Sequence, residues 1–329
     1  RKVSLDFPQK CCGERIRTND LWVMSPTSYH CSTPRCCIIY DWTAKIVINF
    51  NKAKYFGKLF LYPFEIVHLR QIFIRMSDSV VIIPTYNEKE NIENIIRAVF
   101  NLEKDFHILV IDDGSPDGTA TIVHNLIRSE YADRLFIEER KGKLGLGTAY
   151  IHGFKWALAH SYEYIFEMDA DFSHNPQDLP RLYEACAVEG FDVSIGSRYS
   201  TGVNVVDWPM GRVLMSYFAS KYVQFITGMD IHDTTAGFVC YRRKVLETMD
   251  LDRIKFKGYA FQIEMKYTAL VLGFKIKEVS VIFVNRQLGT SKMSSRIFGE
   301  AFFGVINLRW RKLTGKIKPK SKSKTSTRQ

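Results

Sequence analysis

Residues 76–88, MSDSVVIIPTYNE, begin the part of the chain whose pattern decides the fold. The apolar run at residues 80–84 predicts a buried strand, because a short apolar run bounded by turn residues is typical of strands covered on both faces. A helix is predicted over about residues 89–101, where apolar side chains such as Ile92 and Ile95 recur on one face. A buried strand followed directly by an amphipathic helix indicates a parallel βαβ unit.

The same alternation of strand and helix continues for about another hundred residues. Further strands are predicted at residues 107–112, 135–139, 163–169 and 192–197, with helices after residue 118, over about 148–160 and over about 177–188. We therefore expect an α/β fold with a mostly parallel, Rossmann-like sheet that carries helices on both faces. Ligands of such sheets bind beyond the carboxyl ends of the strands.

Acidic residues follow three of the predicted strands at this ligand-binding edge. Glu88 follows the first strand, Asp112 and Asp113 end the second, and Asp169 and Asp171 end the fourth. Carboxylates this close repel one another, so a positive charge must balance them. Oxygen ligands suit Mg²⁺ or Mn²⁺, which proteins hold with one or two carboxylates and substrate phosphates. The sequence predicts a divalent metal at Asp169 and Asp171, with capping aspartates in a solvated loop as the alternative.

The glycine-rich stretch GLGTAY, residues 145–150, is not a dinucleotide-binding fingerprint. The third glycine of such a motif would fall on Tyr150, and the stretch does not follow the first strand. We interpret it as a tight turn that allows backbone to approach a ligand.

Charge and cysteine content differ between the body of the chain and its ends. The formal net charge of +11 divides into +7 over residues 1–75, −5 over 76–308 and +9 over 309–329. This distribution argues against a nucleic-acid-binding core, and we expect no nucleic-acid partner. Five of the seven cysteines lie in the first 37 residues, in spacings that do not match zinc ribbons.

The segment before residue 76 differs in character from the rest. Residues 1–75 show no sustained apolar period, whereas the strand and helix patterns begin directly after Met76. We expect Met76 to be the physiological start and residues 1–75 to be a poorly ordered extension translated from upstream sequence. The alternative is a loosely packed extension with a role of its own.

Seven motifs occur in the order and spacing of one enzyme family. They are PTYNEKENI (84–92), VIDDGSPDGTA (110–120), KLGLGTAYIHG (143–153), MDADFSHNP (168–176), GSRY (196–199), KGYAFQIEM (257–265) and VNRQLGTSK (284–292). In these motifs the chain resembles the polyprenol-phosphate, or dolichol-phosphate, mannose synthases. The resemblance implies a family 2 glycosyltransferase with the GT-A fold over residues 76–295.

The resemblance also implies a role for each matching residue. Pro84, Tyr86 and Glu88 would bind the nucleotide, and Ile111 and Asp113 the nucleoside. The metal and diphosphate would be bound by Asp169, Ala170 and Asp171, of which Asp171 is expected to be catalytic. Ser173 stands where some relatives have a metal-binding glutamine. The phosphates of donor or acceptor would meet Arg198, also expected to be catalytic, together with Arg286 and Lys292. The alternative is that Arg198 or Arg286 pairs with a core acid and that Lys292 is a solvated loop residue.

The activity implied by the resemblance is mannose transfer from GDP-mannose to a polyprenyl phosphate, with inversion. A phosphate acceptor is already ionised near neutral pH, so no strong general base is needed. His174 is therefore interpreted as a turn residue. The alternatives are the same chemistry with UDP-glucose or UDP-N-acetylglucosamine, or a catalytically silent GT-A scaffold. A pyrophosphorylase is less consistent, because PTYNE is not a basic, glycine-rich loop.

Two segments are candidates for contact with a membrane surface. Residues 213–228 carry aromatic and leucine side chains at helical spacing, and they are equally consistent with a core helix. Residues 296–312 are predicted to form an amphipathic surface helix with an interfacial Trp310, followed by a disordered basic tail over residues 313–329. No apolar span is long enough to cross a bilayer. We expect peripheral attachment to the cytoplasmic face of a membrane.

Overall fold

The computed structural model describes residues 77–286 and 296–320, together with four short strands before residue 50. The chain divides into two compact units, residues 1–74 and 75–329. In the first unit the strands form an antiparallel sheet in the order β1-β2-β4-β3. Their bounds are β1 Arg15–Thr18, β2 Leu21–Met24, β3 Cys36–Tyr40 and β4 Lys45–Asn49. Most of residues 1–75 lie outside the described residues, and the predicted start at Met76 stays a prediction.

The second unit is built around a seven-stranded sheet in the order β12-β9-β11-β8-β5-β6-β7. The strands are β5 Ser79–Thr85, β6 His107–Asp112, β7 Leu135–Glu139, β8 Tyr164–Glu167, β9 Val193–Ser197, β11 Val239–Arg242 and β12 Ile276–Ser280. The described helices are α1 Ile92–Phe100, α2 Thr119–Ser129, α3 Leu146–Ala159, α4 Leu179–Ala187, α5 Met210–Thr227, α6 Arg243–Thr248, α7 Tyr259–Val271 and α8 Arg296–Leu313.

The sheet is parallel except at one strand. Four of its strand pairs are parallel, whereas β11 runs antiparallel between β8 and β9. The five strands predicted from apolar runs are present, and the mostly parallel α/β fold is confirmed. The late strands, including β11, were not predicted.

Alternate strand residues belong to two hydrophobic cores, one on each face of the sheet. Val81 and Ile83 of β5 pack with α1, α2 and α4, whereas Val80 and Ile82 pack with α3, α6 and α7. All four are fully buried. Side chains of successive strand residues point to opposite faces, so a strand covered on both sides must be apolar throughout. This explains the unbroken apolar run in β5.

The end of the chain packs on the second of these cores. Val305 and Leu308 of α8 are buried there, and Ile317 packs against it beyond the helix. The backbone N–H of Lys320 donates to the carbonyl oxygen of Thr248 at 2.7 Å. Residues 314–320, predicted to be part of a disordered tail, therefore contact the body of the unit, and residues 321–329 lie outside the described residues.

Candidate active site

The carboxyl ends of β5, β6 and β8 meet at one edge of the sheet. The backbone N–H of Asp113 donates to the carbonyl oxygen of Thr85 at 3.0 Å, and that of Met168 donates to Ile82 at 3.2 Å. The Thr85 hydroxyl donates to Oδ1 of Asp112 at 2.8 Å. The segments that carry the three predicted acidic groups therefore begin side by side.

Arg286 connects two of these acidic groups. Its Nη2 donates to Oε1 of Glu88 at 2.8 Å, and its Nε donates to Oδ2 of Asp171 at 2.7 Å. Glu88 is buried, and it also accepts from the side-chain amide of Asn91 at 3.0 Å. Two strand ends and the segment after residue 284 thus converge on one guanidinium group.

Asp169 lies beside this ion-pair cluster and is partly buried. Burial and the negative charge of Asp171 raise the pKa of Asp169 to about 7. Its Oδ1 accepts from the Tyr150 hydroxyl at 3.4 Å. Burial alone would also raise the pKa of Asp171, but hydrogen bonds from Ser173 and the charge of Arg286 lower it. The pKa values of the two aspartates are therefore shifted in opposite directions because their surroundings differ.

The donor set fits a divalent cation. Among the described residues, Glu88, Asp169 and Asp171 bring three carboxylates together around the guanidinium of Arg286. Burial and the neighbouring charge of Asp171 raise the pKa of Asp169, and carboxylate oxygens are the ligands that Mg²⁺ and Mn²⁺ prefer. In the described part of the chain no three acidic, histidine or cysteine side chains are arranged as a complete metal site. The two carboxylates of Asp169 and Asp171 are of the kind that, together with substrate phosphates, usually holds Mg²⁺ in proteins.

His174 supports the backbone of the aspartate pair. Its Nδ1 accepts from the backbone N–H of Asp169 at 3.1 Å, and its ring stacks on Phe238 with centroids 4.9 Å apart. Burial lowers the pKa of His174 to about 4, so the ring is neutral near pH 7. These contacts agree with the interpretation of His174 as a turn residue rather than a base.

Arg198 is held by a buried carboxylate that the sequence did not reveal. Its Nε and Nη2 donate to the two carboxylate oxygens of Asp233, each at 2.6 Å, and Nη2 also donates to Thr235 at 2.8 Å. Its guanidinium carbon lies 5.4 Å from the ring centre of Phe283 and 5.5 Å from that of Trp208. Contact of Arg198 with a substrate phosphate stays a prediction, and the structure adds an anchor that fixes its orientation.

Asp113 holds the loop before α3. Its Oδ1 accepts from Nε of Arg140 at 2.7 Å, and its Oδ2 accepts from the backbone N–H of Leu144 at 3.1 Å. In this loop the ammonium of Lys143 lies 5.0 Å from the ring centre of Tyr86. The predicted nucleoside contact of Asp113 stays a prediction, whereas its role in shaping the loop is seen directly.

Arg212 is a further basic residue of the site that sequence reasoning missed. Its Nη1 donates to Oδ1 of Asn285 at 2.9 Å, directly before Arg286, and its guanidinium carbon lies 3.9 Å from the ring centre of Trp208. In the sequence, Arg212 occurs inside an apolar helical pattern. Only the fold shows that this residue lies beside the end of β13 (Phe283–Val284) and so belongs to the site.

The other predicted contacts are distributed around the same edge. Pro84 and Ile111 are paired in register on β5 and β6, and the side chain of Ile111 is buried in the core. Ala170 is also buried, between the two aspartates. Lys292 lies outside the described residues, so its predicted contact stays untested.

Comparison with known proteins gives two relatives of high similarity. The chain is 46% identical over 227 residues to a polyprenol monophosphomannose synthase of Mycolicibacterium smegmatis, covering 69% of this chain and 85% of the relative. It is 41% identical over 242 residues to an undecaprenyl-phosphate mannosyltransferase of Micrococcus luteus, covering 72% and 98% respectively. The model of glycosyl transferase family 2 matches residues 80–250.

Solved structures agree on the fold. A glucosyl-3-phosphoglycerate synthase from Mycobacterium tuberculosis, in complex with Mn²⁺, UDP and glucosyl-3-phosphoglycerate, superposes with a TM-score of 0.50 at 19% identity. The match covers 71% of this chain and 78% of the other. The relatives confirm the resemblance to polyprenol-phosphate mannose synthases, and the chain belongs to glycosyl transferase family 2 and is a glycosyltransferase.

Proposed function

We propose that the chain transfers mannose from GDP-mannose to a polyprenyl phosphate, with inversion, giving polyprenyl phosphate β-mannose. The names of the two relatives support the sugar and the class of acceptor. The observation that carries the proposal is the cluster of Asp169 and Asp171 with Arg286 and Glu88. It combines carboxylates for a metal with a cation for phosphate at the ligand-binding edge of the sheet.

The donor would lie across the ends of β5, β6 and β8. Tyr86 offers a ring for the base, with Lys143 on the same side, and Glu88 offers an acceptor to base or ribose. Asp169 and Asp171 would hold Mg²⁺ or Mn²⁺ against the diphosphate. The bound cation would neutralise charge on the leaving GDP.

The reaction itself needs little proton transfer from the protein. An oxygen of the acceptor phosphate forms the bond to the anomeric carbon as the bond to the diphosphate oxygen breaks, and GDP leaves with the electron pair. The second pKa of a phosphate monoester is about 6, so the nucleophile is already ionised near neutral pH. Arg198, Arg212 and Arg286 are suited to hold the acceptor phosphate and the developing charge. Attack from the face opposite GDP gives inversion.

A donor assay tests the proposal. The full chain is incubated with polyprenyl phosphate and radiolabelled GDP-mannose, UDP-glucose or UDP-N-acetylglucosamine, with and without EDTA. We expect metal-dependent label in an organic-extractable, acid-labile lipid from GDP-mannose alone. Label from a UDP-sugar instead would contradict the proposed donor, and no label from any donor with a folded protein would favour the silent scaffold.

A lipid acceptor requires a surface that reaches the bilayer, and α5 and α8 provide an exposed apolar one. We call it the apolar ridge. It consists of Met210, Leu214, Met215, Phe218 and Phe225 of α5 with Phe302, Phe303, Ile306, Trp310 and Leu313 of α8. The two helices are joined where the Tyr222 hydroxyl donates to the carbonyl oxygen of Phe302 at 2.9 Å. None of the described helices combines the length and apolar character of a membrane span.

Charge and position both favour a membrane as the occupant of the apolar ridge. Exposed lysines occur in the last turn of α8, at Lys312, and beyond the helix at Lys316, Lys318 and Lys320. Apolar side chains next to cations are the pattern of interfacial helices on anionic leaflets. Arg212 lies near the start of α5, so the ridge extends from the active site. We infer peripheral docking on the leaflet that faces the nucleotide sugar, the cytoplasmic one.

Replacing both Phe303 and Trp310 with serine is expected to weaken vesicle binding by about tenfold or more. The two side chains are 73% and 61% exposed, and burying an aromatic side chain contributes about 1.5–3 kcal/mol. Co-sedimentation with phosphatidylcholine and phosphatidylglycerol vesicles measures the loss. The control is Val188→Ser, an exposed apolar residue at the end of α4. Equal binding by the double variant and the control would contradict docking through the ridge.

A further inference from the structure

The motif KGYAFQIEM has no role in the reaction described so far, and its glutamate connects three elements. Glu264 is fully buried on α7. Its Oε2 accepts from the backbone N–H groups of Lys255 at 2.8 Å and Phe256 at 3.1 Å, and its Oε1 pairs with Arg311 of α8. One carboxylate therefore fixes residues 255–257, which we call the bridge segment, against the helix of the apolar ridge.

On the side away from α8, the bridge segment contacts the start of α3, next to the loop that precedes this helix. The backbone N–H of Gly147, at the start of α3, donates to the carbonyl oxygen of Lys257 at 2.8 Å. A Cβ at Gly147 would lie 2.9 Å from the carbonyl oxygen of Phe256, so only glycine allows this approach. Arg140 donates to Thr148 at 3.0 Å as well as to Asp113, which connects Gly147 to the loop that places Lys143 near Tyr86.

The ring of Phe256 packs equally tightly on α8. A Cβ at Gly304 would lie only 2.6 Å from the Phe256 ring. Val305 and Leu308 on the same helix are buried, whereas Phe302, Phe303 and Ile306 are exposed on the apolar ridge. Close-packed interiors transmit displacements instead of absorbing them. A shift of α8 on docking would therefore move Phe256, and Phe256 would move the start of α3.

We propose that Phe256 is a positioning residue that couples membrane docking of α8 to nucleotide binding by the loop at residues 140–147. The inference rests on the proposed function, because it takes GDP as the nucleotide and a membrane as the occupant of the apolar ridge. Coupling between two binding sites is reciprocal, so vesicles and GDP strengthen each other's binding by the same factor. An enzyme with this coupling binds its nucleotide-sugar donor most tightly when it is docked on the membrane that contains its lipid acceptor.

The experiment measures GDP affinity of the full chain by calorimetry with Mg²⁺, in the presence and absence of phosphatidylcholine and phosphatidylglycerol vesicles. For the wild type we expect about tenfold tighter GDP binding with vesicles, within the usual range of coupling between sites. Vesicle affinity with and without GDP should change by the same factor. Equal GDP affinity in both conditions would overturn the coupling.

Two glycines offer matched variants. Gly304→Ala adds a methyl group against the Phe256 ring, whereas Gly211→Ala adds one on α5 where nothing lies within 4 Å. We expect the Gly304→Ala protein to lose most of the vesicle effect on GDP affinity and the Gly211→Ala protein to keep it. Full coupling in a folded Gly304→Ala protein would overturn the proposal.

A second variant keeps the test decisive if Gly304→Ala does not fold. Phe256→Leu removes the ring that contacts Gly304, so GDP affinity should no longer depend on vesicles, and retained coupling in that protein would overturn the proposal.

A different set of results would contradict the proposed function. A wild-type protein that binds UDP but not GDP, or that binds no vesicles, would contradict the function, whereas binding of both without mutual effect would contradict the coupling alone.

Discussion

Replacing Asp171 with asparagine is expected to lower mannosyl transfer by about 10³-fold, which corresponds to about 4 kcal/mol of transition-state stabilisation. Asp171 is one of the two residues that would hold the metal, and its Oδ2 accepts from Nε of Arg286 at 2.7 Å. Asparagine keeps the size of the side chain but removes the charge that would hold the metal. Initial rates with GDP-mannose and polyprenyl phosphate measure the effect.

The Asp171→Asn variant also needs a readout that separates chemistry from folding. The contact of Arg286 with Glu88 at 2.8 Å does not involve Asp171, so the variant should retain this ion pair. We expect a melting temperature within a few degrees of the wild type and a clear loss of Mn²⁺ affinity. Asp230→Asn makes the same change at an exposed loop position and should leave the rate unchanged. A rate within tenfold of the wild type would contradict a metal-binding role for Asp171.

The sequence was a good guide to the strands that contain a continuous apolar run. The runs at residues 80–83 and 108–111 were found because burial on both faces favours apolar side chains, whereas the predicted strand at residues 192–197 also buries Ser194 and Ser197. β11 was missed although its first three residues are buried. It is only four residues long and is followed by a helix of six residues, so neither element has a sustained pattern that identifies it from sequence.

The carboxylates of the site were predictable because they follow strands, whereas their partners were not. Asp169 and Asp171 stand at the carboxyl end of a strand, where the topology of the sheet places ligands. Arg286 is more than one hundred residues away in sequence and meets Asp171 only in the fold. The pairs of Asp113 with Arg140 and of Arg198 with Asp233 are closer in sequence, 27 and 35 residues apart, but they too form only in the fold.

Replacing Asp233 with alanine is expected to destabilise the protein by about 3–5 kcal/mol, because it removes the carboxylate that pairs with the buried guanidinium of Arg198. Asp233 is fully buried, and the Arg198 side chain is only 10% exposed. Urea denaturation measures the free energy of unfolding. The exposed neighbour Asp230→Ala is the matched control and should change stability by less than about 0.5 kcal/mol.

The pH dependence of this ion pair has a definite sign. Burial alone would raise the pKa of Asp233, but the charge and hydrogen bonds of Arg198 outweigh it and lower the pKa. The stabilisation is therefore complete above the usual aspartate pKa of about 4 and is lost as pH falls through the lower folded-state value. The difference in stability between wild type and Asp233→Ala should stay constant from neutral pH to about pH 5 and shrink only in stronger acid.

Replacing both Arg198 and Asp233 separates the structural role of Arg198 from its catalytic one. A buried ion pair replaced by apolar residues of similar volume often costs little stability, so Arg198→Met with Asp233→Leu should regain most of the free energy lost in Asp233→Ala. Transfer should nevertheless stay about 10²-fold or more below the wild type, because a cation that stabilises developing charge is absent. A double variant that is both stable and fully active would show that Arg198 serves only the fold, and Arg212 and Arg286 would then be the cations that meet the phosphates.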